Sequence, residues 1–188
     1  MKPIALLFAS LVLLSGCMSE PASPQKTPGS ESGPPAFALS KEAQENDLIK
    51  LRRITARFRH FQTAVAAGWS EQITPCLTDE LGGMGYHYGK PQFIDAIVQL
   101  EKPEVLLYEP DSEGVLRLVG VEYIVPVSAW TKSRPPRLFG RNFHVVPAFQ
   151  VWALHVWVWK DNPSGTFADW NPNVSCKYAS DTSPLAHH

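Results

Sequence analysis

From Asp47 to Ala67 apolar residues return every three or four positions, at Leu51, Ile54, Phe58, Phe61 and Val65. That period lays one apolar stripe along a helix, and Gly68 is a natural stop. The other faces carry Lys50, Arg52, Arg53, Arg57, Arg59 and His60. They read as a solvated surface, with contact to anionic head groups as the functional alternative. A second, short helix is predicted over 91–100, with Pro91 in its first turn and Phe93, Ile94, Ile97 and Val98 as its apolar residues. The pattern then turns to β. The runs 104–109 and 115–125 flank a loop containing Asp111 and Gly114 and are expected to pair antiparallel. The stretch 149–160 is apolar on both faces, which suits a strand inside a sheet rather than at its edge. These elements predict an α+β fold: a single domain, mainly antiparallel sheet, with one long N-terminal helix and one short helix. Between them, 130–147 carries Pro135, Pro136 and Pro147, an excursion of the kind that often serves as a binding loop or lid.

The N-terminal pattern is different. Lys2 precedes an apolar run from Ile4 to Leu14, roughly 11 residues, the length of a signal h-region and well short of a bilayer span. It closes on Leu14-Ser15-Gly16-Cys17, which resembles the lipobox of bacterial lipoproteins. The resemblance implies cleavage after residue 16 and diacylglycerol and fatty acyl chains, palmitate among them, on Cys17, an anchor strong enough to hold a protein at a bilayer. It further implies the bacterial cell envelope. In a Gram-negative source the address would be the outer membrane, facing the periplasm, because Met18 follows the cysteine where aspartate would signal retention at the inner membrane. Residues 18–44 are rich in Pro, Ser, Gly and Glu and read as an extended, disordered tether. The expected organisation is a signal peptide over 1–16, lipidated cysteine and tether over 17–44, a globular domain over 45–177 and a loose tail over 178–188. His187 and His188 in that tail are set aside as adventitious metal binders.

With 188 residues, 44% of them hydrophobic, and six tryptophans, the chain has material for one ordinary core. A formal net charge of -1 gives no electrostatic reason for a nucleic-acid partner. Once Cys17 is assigned to the anchor, Cys76 and Cys176 remain as a pair in an oxidising compartment and are predicted to be bridged.

Three polar residues interrupt apolar surroundings: His87, Glu122 and His155. Strand alternation puts Glu122 on the face of Leu116, Leu118 and Ile124, where a carboxylate needs an arginine, a histidine or a metal beside it. The same alternation places His155 with Trp157 and Trp159, a wall able to exclude water. His87 lies in a segment with Gly82, Gly83 and Gly85, read as a loop that approaches a ligand, with Met84 and Tyr86 as further contacts. Two histidines and a carboxylate suit zinc or non-haem iron, and Met84 would shift the preference toward copper. A structural polar cluster and an organic-ligand pocket are the competing readings. Glu109 is a further candidate, more simply placed at a strand end in solvent. No G-x-S-x-G, H-E-x-x-H, Walker or dinucleotide motif is present.

The segments GGMGYHY, LLYEP, GVEYIVP, LHVWVWKDNPSGTFADWNP and VSC resemble those of a group of uncharacterised secreted bacterial proteins, over roughly residues 54–176. The resemblance implies one secreted domain with Cys76 and Cys176 in step, and no activity. The expected function is a lipid-anchored extracytoplasmic module binding a small ligand or a transition metal. A metal-dependent enzyme using the His/His/Glu set and an envelope scaffold protein are the alternatives.

Overall fold

The computed structural model describes residues 36–180, with side chains from Ser40 onward. The signal segment, Cys17, most of the tether, His187 and His188 lie outside the described residues. Pro34–His188 forms one compact unit that contains both hydrophobic clusters and the disulfide described below.

Helix α1 spans Ala36–Thr55, a 3-10 turn follows over Ala56–Arg59, and α2 spans Phe61–Ala66. Most of the apolar stripe is real: Leu51 and Phe58 are buried and Ile54 and Phe61 pack against the same core, but in α2 Ala64 takes the buried place expected of Val65. The single helix predicted over 47–67 nevertheless starts earlier, inside the segment read as tether, and breaks near residue 56. Thr55 turns its hydroxyl back to the Leu51 carbonyl at 2.8 Å, and the Phe58 carbonyl accepts the buried Tyr108 hydroxyl at 2.6 Å. Bonds of this kind compete with the helical ladder. Gly68, at φ 103°, ends α2.

The strands are β1 (Glu71–Asp79), β2 (Gly82–Gly89), β3 (Val105–Pro110), β4 (Leu116–Pro126), β5 (Arg137–Leu138), β6 (Arg141–Asn142), β7 (His144–Val146) and β8 (Val151–Val156). Six form one antiparallel sheet in the order β1-β2-β3-β4-β8-β7, while β5 and β6 make a small hairpin. The α+β architecture, the β3–β4 hairpin and the interior place of β8 follow the sequence pattern. The predicted helix over 91–100 does not: only Pro91–Phe93 makes a 3-10 turn, and the Asp95 carboxylate then accepts the Ile97 amide at 2.6 Å, a local bond that favours a turn. The short helix of the fold is α2.

The helices cover one face of the sheet, where Tyr88, Leu106, Tyr108, Val121, Tyr123 and Val156 are buried. The opposite face carries a smaller cluster, Val105, Leu107, Val119, Ile124, Ala153, Trp157 and Val174. Residues 161–180 return across β2: Gly83 and Asn171 exchange two backbone hydrogen bonds of 3.0 Å. Cys176 is bonded to Cys76 with a Cα–Cα distance of 5.8 Å, closing a separation of 100 residues. In the chain-entropy account such a loop stabilises the fold by about 4 to 5 kcal/mol.

Candidate metal centre

His87, Glu122 and His155 converge on the face of the sheet away from the helices. Glu122 and His155 are direct cross-strand partners on β4 and β8. A β-bulge puts the carboxylate there. Leu107 faces Gly120 and Tyr108 faces Leu118, so Val119 is the extra residue, and an extra residue reverses the alternation beyond it. Leu116 and Leu118 therefore point to the helices, whereas Glu122 and Ile124 point to the opposite face, which corrects the single face predicted for all four. On β2 a similar shift occurs at Gly85, with φ 80°. It lets Met84 and His87 line the same cavity while Tyr86 and Tyr88 enter the helix-side core.

The three residues are 5%, 7% and 3% exposed. His87 Nε2 and His155 Nε2 each lie 3.7 Å from a different oxygen of Glu122, and one ligand atom from each of the three residues falls within 4.8 Å of the others. The imidazole centroids are 5.9 Å apart. An ion with ligand bonds of about 2.1 Å in tetrahedral geometry sets its ligand atoms about 3.4 Å apart; each Nε2 is within a few tenths of an ångström of that spacing from one carboxylate oxygen, and small side-chain shifts bring a set within 4.8 Å onto one ion.

The outer atoms are arranged to orient these ligands. His87 Nδ1 is 2.8 Å from Thr74 Oγ1 on β1. With the proton on Nδ1 and donated to that hydroxyl, Nε2 presents its lone pair to the cluster. His155 Nδ1 faces Asp169 Oδ1 at 3.5 Å, an electrostatic contact rather than a hydrogen bond, and neither ring nitrogen of His155 has a hydrogen-bond partner. Buried polar atoms rarely go unpaired. On its other oxygen, Asp169 meets His144 Nε2 at 3.4 Å.

Burial, with repulsion from His155, pushes the His87 imidazole down to about 3, so it is neutral across the ordinary pH range and free to ligate. Burial raises Glu122. For His155 burial works against the charged ring, but Glu122 and Asp169 outweigh it and the pKa rises. Asp169 is held below the usual carboxylate range by its contact with His155, with His144 adding to the effect. Without a metal the site is thus a neutral histidine beside a carboxylate and a histidine that attract each other's charge.

A cavity of about 510 Å³ opens over the cluster. The proline-bearing excursion supplies one wall through His144, Val145, Val146 and Pro147, and the C-terminal return supplies Asp169 and Trp170.

Other predicted contacts lie elsewhere. Tyr86 faces the helix-side core and its hydroxyl donates to the Ser180 carbonyl at 3.0 Å, which orders the start of the segment read as loose. Trp157 lies behind His155, with ring centroids 6.0 Å apart and planes 12° from parallel, and donates from Nε1 to the Ala168 carbonyl at 2.6 Å. It supports the site without lining the cavity. Trp159 is on the helix side, donating to Thr55 Oγ1 at 3.0 Å, because the strand ends at Val156 and the alternation with it. Gly82 and Gly83 belong to β2, not to a ligand loop. A Cβ on Gly82 would meet the Asn171 backbone at 2.5 Å, and one on Gly83 the Val174 carbonyl at 2.6 Å. These glycines admit the returning chain. Glu109 pairs with Lys160 and accepts the Ser175 amide at 3.2 Å, so it fastens that chain rather than sitting in solvent.

Thr74, His144 and Asp169 join the site without having been among its expected residues. Asp169 is a lone acid between aromatic residues in Phe167-Ala168-Asp169-Trp170, a signal that was legible. Thr74 has none outside the register in which it faces His87. Among the described residues no helix is long and apolar enough to cross a membrane. Comparison with protein families, curated proteins and solved structures gives no match to this chain.

Proposed function

We propose that this protein is a lipid-anchored extracytoplasmic binding module of the bacterial cell envelope that holds a transition metal ion between His87, Glu122 and His155. The observation that carries the metal reading is the convergence of the three buried side chains around a histidine whose ring nitrogens lie 3.5 and 3.7 Å from carboxylates without a hydrogen bond to either. A cation meeting both Nε2 atoms and the carboxylate satisfies these atoms together, and Thr74 and Asp169 stand where orienting groups for metal-bound histidines belong. Zinc and ferrous iron match the donor set best, and Met84 in the same cavity keeps copper within reach. The anchor, the envelope address and kinship with the uncharacterised secreted group rest on the lipobox and on the segment resemblances.

The cavity also supports a second reading, a metal-dependent enzyme. Three protein ligands leave an open position, as in sites that activate water or polarise a substrate. A scaffold role predicts no pocket and an exposed apolar patch; the cavity speaks against it, while the exposed Ile73, Val145 and Phe149 are a feature in its favour.

Elemental analysis of the Pro34–His188 unit with His187→Ala and His188→Ala, after exposure to zinc, iron and copper, tests the metal. The expected result is close to one ion per chain, lost in both His87→Ala and His155→Ala variants that keep the fold. No bound metal, or metal unaffected by both changes, would refute it. Cys17→Ser in the full chain tests the anchor: the protein should leave the membrane fraction.

A further inference from the structure

The metal ligands form the buried polar corner of a cavity whose other walls are apolar. Ile73, Met84, Ile124, Val146, Phe149 and Trp170 are among them. At the rim Ile73, Val145 and Phe149 keep exposures of 36%, 39% and 54%, so the apolar lining continues out to solvent. Contiguous apolar surface leading into a cavity marks a binding site more often than a neutral stretch of exterior. Few polar groups face the interior. The Thr74 hydroxyl is engaged by His87, while Glu71, His144 and Asp169 reach water. A ligand inside therefore meets one buried place for a charged or lone-pair head and apolar wall over most of the rest, with Glu71, His144 and Asp169 where the lining reaches water.

Resting on the metal reading above, we infer that the cavity binds a small monoanionic molecule with one carboxylate-type head and an apolar body. The head takes the open position of the ion and the body lies along the Ile73–Phe149 wall. Charge decides the head. At the ion itself, two neutral imidazoles and the Glu122 carboxylate leave a divalent cation one positive charge, which one anionic head meets; Asp169, in the cavity wall 3.5 Å from His155, already adds a further carboxylate and opposes a second negative group. A second anionic group or a row of hydroxyls would be pressed against walls without donors, at a desolvation cost. Size sets the body: about 510 Å³ is in the range that encloses a drug-sized molecule, so a chain of several methylenes fits.

The test uses the Pro34–His188 unit with His187→Ala and His188→Ala, loaded with Co²⁺ so that the visible spectrum reports the coordination sphere. Butyrate, hexanoate and octanoate are titrated by calorimetry at pH 7.5, with adipate as the two-headed control. Affinity is expected to rise about three- to fourfold per methylene, the increment of apolar transfer. Each acid should shift the Co²⁺ bands, and adipate should bind at least about tenfold more weakly than hexanoate. Phe149→Ser, at the exposed rim, should flatten the chain-length series and leave the Co²⁺ spectrum unchanged. Bound Co²⁺ with a flat series, or adipate equal to hexanoate, overturns the ligand assignment alone. Failure to bind Co²⁺ overturns the metal reading and this inference with it.

Discussion

Replacing Glu104 with glutamine should make the protein more stable in alkaline solution while changing little in acid. Glu104 is 2% exposed, and its Oε2 accepts the Ile124 amide at 3.1 Å, beyond the point where β3 stops pairing with β4. The side chain thus continues the ladder two residues past Glu122. Burial pushes its pKa up to about 8, against bonds from backbone amides that favour the charged form. The folded protein holds a proton that the unfolded chain, with the ordinary glutamate value of 4.5, releases. The unfolded state binds fewer protons between those two values, so stability falls as pH rises through that window, by about 1.4 kcal/mol per unit in mid-range. Integrated from pH 5 to pH 8, the loss is about 3.5 kcal/mol. Glutamine keeps an oxygen for the Ile124 amide and has nothing to ionise. Urea unfolding with the disulfide intact and EDTA present, at pH 5 and pH 8, gives the comparison, and subtracting wild type from variant cancels the histidines common to both. The stability difference should swing toward the variant by about 3.5 kcal/mol between the two pH values. Parallel curves would mean that Glu104 is ionised in the fold, and would refute the reasoning.

Thr74→Val removes the partner of His87 Nδ1 and should weaken metal affinity by about 10- to 100-fold with the fold retained, read by competition with a chelating dye. Asp169→Asn should weaken it over a similar range, because the carboxylate facing His155 is lost. Metal affinity should fall about tenfold per unit as pH drops through the raised His155 pKa, since the ion must displace that proton, while His87 adds no competition above about pH 3. A dissociation constant that stays flat down to pH 5.5 would contradict this. Cys176→Ser should lower the stability seen in urea by about 4 to 5 kcal/mol and loosen the return of the chain over β2, which hydrogen exchange at Asn171 would register.

The parts legible in the sequence were those set by local period and by composition. The α1 stripe, the β3–β4 hairpin and the apolar β8 announce themselves through spacing, and the cysteine pair through elimination. His87, Glu122 and His155 stood out because a polar group amid apolar neighbours needs a partner. Side-chain direction is hidden from the sequence wherever one residue shifts the phase of a strand. The bulge at Val119 turned Glu122 away from Leu116 and Leu118, and the shift at Gly85 separated Tyr86 from Met84. Strand alternation has no memory across such an insertion, so side-chain direction was lost although the strand was found. The glycines of β2 misled for a related reason: they look like a flexible loop but serve a crossing chain that comes from more than 80 residues away. Thr74 is known only through register, and Asp169, though a lone acid among aromatic residues, meets His155 only through closure of the chain.

The central claim is that one cation joins these three side chains, and anomalous scattering from crystals of the metal-loaded Pro34–His188 unit tests it most directly. The account predicts a single strong peak at about 2.0 to 2.2 Å from His87 Nε2, His155 Nε2 and a Glu122 oxygen, facing the cavity. A peak confined to surface histidines, or none at the cluster under saturating metal, would contradict it.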